Sequence, residues 1–373
     1  MLSNIDVRAA VFRPETGGSA TISAVSIAEM RDDEVLVRIV GAGVCHTDLV
    51  FSEGFLKPDY PLILGHEGAG IVEQVGAAVV DLPPGDPVVL SFLHCGECHN
   101  CRQGDPAACE VMGPINCSGH RPDGSDAMLN GDAPIACHFF SQSSFARHSV
   151  ATRRNVVKVR EDAPLELLGP LGCGIQTGAG AVLNVLKPEA GDSLLVVGAG
   201  SVGLSAVMAG KAAGCGPIAV VEPNAQRRAL ALELGASHAF DPSGETDLVA
   251  ALQAATGRGF HGAVDSSGKP AAIMGALGAL AVGGRMVLLS TDAVESTIPL
   301  NLMDVLGRSI TIHGSTEGGA DPARFIPHLV DLFMAGRFPI DRLIRFYDFA
   351  EINQALEDAH HGTVLKPVLR MSP

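Results

Sequence analysis

The sequence predicts an α/β protein of two domains, one rich in β-strands and one built on a doubly wound parallel sheet. Three observations support this prediction. The chain has 373 residues, of which 47% are hydrophobic and 18% charged, so it can bury more than one core of ordinary size. Short apolar runs broken by Gly and Pro fill the first half. Apolar strands then alternate with alanine-rich helices.

The β-rich domain is expected over residues 1–175. Its predicted strands are EVLVRIV at 34–40, AGIVEQV at 69–75 and DPVVLSF at 86–92. Each run is short and ends at Gly, Pro or polar residues, as β-strands joined by long loops do.

The parallel-sheet domain is expected over residues 176–317, and residues 318–373 are expected to return to the first domain. SLLVVGAGSVGLSAVMAGKAAG followed by PIAVVEPNAQRRALALELG reads as strand, helix, strand, helix, which implies right-handed crossovers between parallel strands. The last segment predicts two helices, ARFIPHLVDLFMAG and AEINQALEDAHHG, and a final strand, KPVLRM.

The charge balance excludes two classes of partner. A net charge of −15 and a pI of about 5.2 repel nucleic acid backbones and anionic lipid headgroups. The N-terminal segment has no basic region followed by an apolar run, and no eighteen apolar residues follow one another. We therefore expect a cytoplasmic protein with no nucleic acid and no membrane partner, whose nine cysteines serve metal ligation better than cross-linking.

Four cysteines fall within the fifteen residues CGECHNCRQGDPAAC, namely Cys95, Cys98, Cys101 and Cys109. Thiolates at this spacing can fold onto one tetrahedral Zn²⁺ at about 2.3 Å, and four of them leave no open position. Disulfides are the alternative, but cysteines so close in sequence pair awkwardly. The spacing predicts a structural zinc site.

A glycine-rich turn predicts a dinucleotide. LLVVGAGSVG runs a strand into Gly198, Gly200 and Gly203, the G-x-G-x-x-G spacing that lets a pyrophosphate approach a helix N-terminus. Glu222 follows nineteen residues after Gly203, at the end of the next strand. The turn could also serve close helix–strand packing without a ligand, but its position between a strand and a helix favours the coenzyme.

The residues near Glu222 bear on which nicotinamide coenzyme binds. A carboxylate at this position accepts hydrogen bonds from the ribose hydroxyls and repels a 2′-phosphate, which favours NAD over NADP. Arg227 and Arg228 lie close by in sequence and could weaken that preference.

Three further residues have the chemistry of a second metal site. Cys45 lies in GVCHTD, His66 in GHEGAG and Cys173 in GPLGCGIQTGAG, each in a loop after an apolar run. Two thiolates and one imidazole form the ligand set of an open, catalytic zinc. Spacing alone does not connect the three, and each taken singly also fits an ordinary buried residue.

Five segments in order, GVCHTD, GHEGAG, CGECHNCRQGDPAAC, GCGIQTGAG and VVGAGSVG, resemble the zinc-dependent medium-chain alcohol dehydrogenase family over essentially the whole chain. Within it, GCGIQTGAGAVLNVLKP and the VVLSF before the four cysteines are most similar to the aryl-alcohol (benzyl-alcohol) dehydrogenase branch. The resemblance implies a GroES-like β-rich catalytic domain, a Rossmann coenzyme domain and an active site in the cleft between them.

The resemblance also implies two zinc ions per chain. The catalytic ion would rest on Cys45, His66 and Cys173, and the structural ion on the four clustered cysteines. Glu67 matches a family carboxylate close to the catalytic metal. Asp48 matches the carboxylate that orients the zinc-bound imidazole.

The implied reaction is reversible oxidation of primary aromatic or allylic alcohols to aldehydes, with hydride transfer to NAD. An open zinc site acidifies a coordinated alcohol, which readies its carbon for hydride loss. Thr47 matches the hydroxyl that hydrogen-bonds the reacting oxygen, Thr177 a residue near the nicotinamide, and Lys366 a basic residue near the pyrophosphate.

Two departures from the family pattern concern the coenzyme and the proton. His46 stands where many relatives have an Arg that binds the pyrophosphate, and it is a weaker anchor. Val50 stands where the liver-type branch has the His that ends the proton relay. Water reaching the ribose and His46 itself both remain candidates for the proton acceptor.

The substrate pocket implied by approximate alignment is apolar and suits an aromatic ring or a prenyl chain. Its residues, each of which also fits a plain core position, are Leu56, Phe92, Met112, Phe140 and Thr291. The run Glu110 to Gly113 lacks the Arg of relatives that oxidise the glutathione adduct of formaldehyde, and Cys173 replaces the Glu typical of polyol dehydrogenases.

Alternative functions remain at this stage. Terpene alcohols such as geraniol, or aliphatic alcohols, are alternative substrates. A nicotinamide-binding protein without chemistry is an alternative of another class, and zinc stoichiometry separates it: two ions per chain support the enzyme, one or none does not. The length of the stretch 114–140 resembles that of dimeric relatives, so we expect a homodimer joined through edge strands of the coenzyme domains.

Overall fold

The computed structural model of the chain describes residues 6–54, 61–131 and 133–371. The chain divides into two compact units. The first holds residues 1–173, 321–334 and 340–373, and the second holds residues 174–320 and 335–339. The expected boundaries at 175/176 and 317/318 lie within three residues of the two main breaks, and the short return of 335–339 to the second unit was not expected.

The described strands are β1 Asp6–Phe12, β2 Ala20–Ile27, β3 Glu34–Gly43, β4 Leu62–Ile63, β5 Gly68–Val75, β6 Pro87–Leu90, β7 Met128–Asn130, β8 Ala133–Pro134, β9 His148–Thr152, β10 Val156–Lys158, β11 Leu194–Val197, β12 Ile218–Val221, β13 His238–Phe240, β14 Phe260–Asp265, β15 Leu280–Leu288, β16 Thr311–Gly314, β17 Ile344–Asp348 and β18 Lys366–Arg370.

The described α-helices are α1 His46–Ser52, α2 His99–Arg102, α3 Met112–Cys117, α4 Gly174–Gly180, α5 Ser201–Ala213, α6 Ala225–Leu234, α7 Leu248–Thr256, α8 Pro270–Ala279, α9 Leu302–Arg308, α10 Pro322–Met334 and α11 Ile352–His360. A π-helix spans Ala181–Leu186. Short 3-10 turns span Pro14–Thr16, Pro106–Ala108, Phe139–Ser141, Arg153–Asn155, Leu165–Leu167, Gly169–Gly172, Glu317–Gly319, Ile340–Leu343 and Phe349–Glu351.

The first unit contains two sheets. One has five strands in the order β4-β1-β2-β7-β8, and the other has seven, with the path β10-β6-β5-β3-β18-β17 and β9 also paired to β3. Nearly every side chain of β3 is buried, as expected for the apolar run that predicted it. The C-terminal strand β18 pairs antiparallel with β3, placing Val368 opposite Gly43.

The second unit is built on one parallel sheet of six strands in the order β13-β12-β11-β14-β15-β16. This is the doubly wound order in which the first strand lies at the centre and the chain crosses over to both sides. The central strand β11 is buried along its whole length, because helices cover both faces of such a sheet. The predicted fold class is confirmed.

Separate apolar cores fill the two units. In the first unit the main core that the described residues form includes Phe12, Phe51, Phe92, Phe139 and Phe145, all 2% exposed or less. The core of the second unit packs around Phe260 and Met286. Among the residues that the structure describes, no helix combines the length and the apolar character needed to cross a bilayer.

Candidate metal centres and coenzyme site

The four clustered cysteines meet at one point. The Sγ atoms of Cys95, Cys98, Cys101 and Cys109 all lie within 4.8 Å of one another, and none of the nine cysteines, all within the described residues, forms a disulfide. Backbone N–H groups of the same loop point at the sulfurs: Cys98 N donates to Cys95 Sγ at 3.3 Å, and Cys101 N donates to Cys98 Sγ at 3.5 Å. These donors stabilise thiolates.

Local structure holds this loop in place. Cys98 caps helix α2, and the Arg154 guanidinium donates to the carbonyl of Cys95 at 2.6 Å. Backbone N–H donors lower the pKa of Cys98 to about 6, whereas burial and the neighbouring thiols raise the pKa of Cys101 to about 12. Four sulfurs this close cannot all be anionic without a cation, so the donor set fits a closed tetrahedral zinc.

A second group of potential metal ligands assembles from distant parts of the first unit. The ligand atoms of Cys45, His66, Glu67 and Cys173 all lie within 4.8 Å of one another. Cys45 immediately precedes α1, His66 and Glu67 immediately precede β5, and Cys173 immediately precedes α4. The structure therefore brings together the three residues that spacing alone did not connect.

His66 has the arrangement of a metal ligand. Its ring is fully buried, and Nδ1 lies 2.9 Å from Asp48 Oδ1. The carboxylate acceptor places the proton on Nδ1, which leaves the Nε2 lone pair available. Nε2 is buried and has no hydrogen-bond partner among the described residues. A buried, unsatisfied lone pair beside two thiols fits zinc.

Asp48 positions two ligands at once. Its Oδ1 also accepts a hydrogen bond from Gly65 N at 3.1 Å, and its Oδ2 accepts one from Cys45 N at 2.9 Å. Asp48 thus caps the start of α1 while it orients the His66 ring. The hydrogen bond with Cys173 holds the pKa of Cys45 well below its usual value, which favours the thiolate that binds metal.

Glu67 is paired with Lys366. Lys366 Nζ lies 2.9 and 3.0 Å from the two Glu67 oxygens and donates to the Val44 carbonyl at 3.1 Å. Both side chains are 2% exposed or less. Burial alone would lower the pKa of Lys366, but the Glu67 carboxylate raises it above its usual value, so we take the pair as charged. Contact of Lys366 with a pyrophosphate stays a prediction, and its ammonium is engaged by Glu67 in this structure.

The residues around Cys45 bear on proton movement. Cys45, His66, Glu67 and Cys173 are together called the metal group. Thr47 Oγ1 lies 3.9 Å from Cys45 Sγ, at the side of this group. His46 is exposed, and Val50 is half-buried on the same helix. Contact of Thr47 with a substrate oxygen stays a prediction, as does the final proton acceptor, for which water and His46 are the candidates.

Aromatic side chains cover His66. The Phe140 ring stacks on the imidazole at 4.6 Å between centroids, and the Phe139 ring meets its edge at 5.4 Å. Phe140 thus lies against a potential metal ligand, and its role in a substrate pocket stays a prediction.

The other predicted pocket residues occupy different settings. Phe92 is fully buried in the main core, and Met112 packs at the edge of that core with its sulfur 3.4 Å from Asn116 Nδ2. Thr291 is exposed in the second unit, where its hydroxyl donates to the Ala293 carbonyl at 2.6 Å. Leu56 lies outside the described residues. The pocket roles of these four residues stay predictions.

A cavity of about 670 Å³ lies at the carboxyl ends of β11 and β12. Its lining includes Gly198, Gly200, Glu222, Arg227, Ser267 and Lys269. Ligands of doubly wound sheets bind at this edge, next to the strand where the order reverses. Sequence reasoning did not identify Lys269, since a lone lysine before a helix carries no binding signature.

The glycine-rich turn has the shape of a phosphate cradle. Gly198 has φ +90°, which side chains disfavour, and a Cβ at Gly203 would lie 1.9 Å from the Gly198 carbonyl oxygen. A Cβ at Gly200 would instead point into open space. The turn therefore packs tightly against its own helix and stays open on the cavity side, which fits a pyrophosphate at the N-terminus of α5.

Glu222 is fixed by the backbone. Its Oε2 accepts from Ala199 N at 2.7 Å and its Oε1 from Asn224 N at 2.9 Å, and the side chain is 5% exposed. A carboxylate offers about four acceptor sites, so two remain for hydroxyl groups of a ligand. Arg228 bonds the Glu222 carbonyl and Asp241.

Thr177 lies in α4, against the second unit's Glu317–Gly319 turn. A Cβ at Gly318 would lie 2.6 Å from the Thr177 carbonyl oxygen, so the two backbones are in close contact. Its predicted position near the nicotinamide remains a prediction.

Comparison with known proteins agrees with this geometry. The model of the alcohol dehydrogenase GroES-like domain matches residues 31–161, and that of the zinc-binding dehydrogenase family matches residues 201–334. A geraniol dehydrogenase from Castellaniella defragrans is 50% identical over 366 residues, 98% of this chain and 98% of that protein. The chain belongs to the zinc-dependent medium-chain alcohol dehydrogenase family.

Solved structures of this family superpose closely on the chain. A benzyl alcohol dehydrogenase from Acinetobacter calcoaceticus gives a TM-score of 0.94 at 40% identity, covering 99% of this chain and 100% of that one. An alcohol dehydrogenase zinc-binding domain protein from Burkholderia ambifaria gives 0.96 at 44% identity with the same coverage. Family membership implies zinc and a nicotinamide coenzyme, and the two donor groups and the cavity provide places for them.

Sequence analysis missed several polar residues that surround the metal group of this dehydrogenase. Ser91, Gln142 and Asn155 are fully buried, and their hydrogen bonds connect the loops that carry the ligands. No sequence signal identifies them, because isolated polar residues in a loop usually indicate a turn at the surface.

Proposed function

We propose that this dehydrogenase oxidises primary alcohols whose carbinol carbon adjoins a π-system, aromatic or allylic, and passes the hydride to NAD. The observation that carries the proposal is the buried, unsatisfied Nε2 of His66, which lies beside the thiols of Cys45 and Cys173 under the Phe140 ring. This arrangement offers three metal ligands and an apolar wall in one place.

Two sets of side chains would hold the two zinc ions. Cys45, His66 and Cys173 would hold the catalytic zinc, and Cys95, Cys98, Cys101 and Cys109 a structural one. When bound, the catalytic zinc would supply Lewis acidity and NAD would supply the hydride acceptor.

The chain's own groups complete the site. Thr47 accepts the alcohol proton at Oγ1 as it donates its own onward, and the Phe139 and Phe140 rings keep water from His66. Asp48 keeps the His66 proton on Nδ1 throughout.

Two relatives support the substrate class. One is named for geraniol, an allylic terpene alcohol, and the other for benzyl alcohol. Both alcohols place the carbinol carbon next to a double bond or ring, and both need an apolar pocket. We take this shared feature, rather than the ring itself, as the substrate requirement.

The preference for NAD over NADP rests on Glu222. Its carboxylate is held in the cavity wall by two backbone donors and would face a 2′-phosphate with like charge. Arg227 and Lys269 line the same cavity and offset part of that repulsion. The proposal is preference for NAD with residual use of NADP.

We also propose a homodimer formed through the second unit. Strand β16 is an edge of the parallel sheet. Leu302, Met303 and Leu306 on the neighbouring α9 are each more than 70% exposed, an apolar surface typical of an interface.

Paired substrates test the proposed specificity. NADH formation is measured with geraniol against citronellol, which lacks the allylic double bond, and with benzyl alcohol against cyclohexylmethanol. We expect kcat/KM to favour the unsaturated member of each pair by at least about tenfold, or ~1.4 kcal/mol. Ethanol and sorbitol complete the panel, and NADP replaces NAD in a parallel series.

Variants assign the activity to the metal group. Cys173→Ala should abolish turnover, whereas Cys215→Ala, a half-buried cysteine of the second unit outside both groups, should leave it unchanged. Equal rates within each substrate pair would contradict the π-system requirement. Activity that survives Cys173→Ala would contradict the assignment of the catalytic metal.

A further inference from the structure

The Gln142 side chain is fully buried next to the proposed catalytic metal ligands. Its Nε2 donates to the His66 carbonyl at 3.0 Å and to the Ser91 carbonyl at 3.2 Å. Its Oε1 accepts from Gly68 N at 3.1 Å. One amide therefore holds the backbone on both sides of Glu67, directly after the metal ligand His66.

The partners leave one possible orientation of this amide. The end that faces two carbonyl oxygens must be the Nε2 donor, and the end that faces an N–H group must be the Oε1 acceptor. All three hydrogen bonds are lost if the amide is removed, and turning it over would set acceptor against acceptor and donor against donor. A buried polar group satisfied this completely holds its neighbours in a single arrangement.

Ser91 extends the connection to the third metal ligand. The Ser91 hydroxyl donates to the Gly172 carbonyl at 2.7 Å, and Gly172 immediately precedes Cys173. A Cβ at Gly172 would lie 2.0 Å from the Leu90 carbonyl oxygen, so this loop packs directly on the strand end. The path Gln142, Ser91, Gly172 thus joins the His66 loop to the Cys173 loop.

The loop that delivers Gln142 is strained. Phe140, Ser141 and Ser143 have φ of 51°, 55° and 47°, in the left-handed region that residues with a side chain disfavour. Asn155 Nδ2 holds the carbonyls of Phe140 and Ser141 at 3.3 and 3.2 Å. Strain that surrounding contacts maintain in this way is usual where a loop must place specific groups.

We propose that Gln142 is a positioning residue for the catalytic metal: through Ser91 it fixes the separation of the His66 and Cys173 loops. The inference rests on the ligand set of the proposed function. The Gln142 amide acts through the backbone groups of His66, Gly68 and Ser91. Residues that hold ligands in this way typically affect metal affinity by about 10–100-fold.

Zinc retention in Gln142→Met tests the proposal. Methionine has a similar length and no hydrogen-bonding amide. The full-length protein is dialysed against graded chelator, zinc per chain is counted, and Co²⁺ is then exchanged into the catalytic site to record its thiolate absorption bands. We expect about 10–100-fold weaker binding of one zinc per chain and altered Co²⁺ bands, while the second zinc stays bound.

Asn116→Leu is the matched control. Asn116 is also a buried amide, 1% exposed, but it bonds Leu93 and the Met112 carbonyl, beside the four-cysteine loop, instead of the loops that carry His66 and Cys173. We expect a similar loss of melting temperature from this variant, with the affinity for the catalytic zinc and the Co²⁺ bands unchanged. Ser91→Ala removes only the link to Gly172 and, if Gln142→Met fails to fold, should by itself weaken retention of the same zinc.

Wild-type zinc affinity and Co²⁺ bands in Gln142→Met or Ser91→Ala, with only stability reduced, would overturn the proposal. The readout is independent of substrate. A protein inactive on every alcohol tested would contradict the proposed function, yet its zinc retention would still report on Gln142.

Discussion

Single residues around the metal group show what a sequence motif leaves out. Glu67 and Lys366 were each predicted from family motifs, one near the metal and one near the pyrophosphate. Nothing in the sequence connected them, because 299 residues separate them along the chain. The structure shows them as a buried ion pair, which forms only when β18 pairs with β3. Their pairing is a property of the fold.

Removal of the Lys366 ammonium from the buried ion pair should lower the stability of the fold. Lys366→Met leaves the Glu67 carboxylate buried without its cation, and we expect the free energy of unfolding to fall by about 3–5 kcal/mol in urea titrations at pH 7. The double variant Lys366→Met, Glu67→Leu should recover most of that loss. If the single variant keeps its stability and only binds NADH more weakly, Lys366 acts on the pyrophosphate instead.

At the scale of elements, regular structure was predictable and the loops at the site were not. The strand–helix alternation predicted β11, α5, β12 and α6 because burial imposes a clear period on such elements. The run 86–92 predicted a longer strand than β6, which ends at Leu90. The next residue, Ser91, instead donates its hydroxyl hydrogen bond to Gly172, in the loop that carries Cys173. Left-handed Phe140, Ser141 and Ser143 carry no sequence signal, since that conformation is usually marked by Gly or Asn.

The same loop predicts acid sensitivity. His138 is fully buried beside Ser141, and burial lowers the pKa of His138 to about 3. Between its unfolded pKa of about 6.5 and the folded value, the unfolded chain binds the extra proton, so stability falls as pH falls. From pH 7 to pH 5 we expect His138 to contribute a loss of about 2 kcal/mol, measured by urea unfolding.

Two variants isolate this contribution. His138→Gln should flatten the dependence of stability on pH over that interval. His328→Gln, which changes an exposed histidine of α10, should leave the slope of the wild type unchanged. An unchanged slope in His138→Gln would contradict the assignment.

At the scale of the whole molecule, the net charge and one exposed apolar surface bear on association with other molecules. The net charge of −15 opposes association with anionic partners, yet α9 exposes a cluster of apolar side chains at one edge of the parallel sheet. Sequence periodicity does not reveal such a surface, because it does not distinguish an apolar residue in a core from one at an interface.

The homodimer is tested by solution mass. Light scattering after size exclusion should give twice the 38.5 kDa of the chain. Leu306→Glu should give the monomer mass, because it places a charge in the apolar surface of α9. Val80→Glu is the control, since Val80 is 91% exposed in the first unit and its variant should remain dimeric. A monomeric wild type would contradict the proposed interface.

The most direct test of the account follows the hydride. The zinc-loaded enzyme is given NAD and benzyl alcohol with both hydrogens of the carbinol carbon replaced by deuterium, and the coenzyme is analysed by mass spectrometry. We predict NADH that carries one deuterium and an equal amount of deuterated benzaldehyde, with neither product from Cys173→Ala. NADH without deuterium, or no NADH from an enzyme that holds two zinc ions and turns over no other allylic or aromatic alcohol, would contradict the central claim.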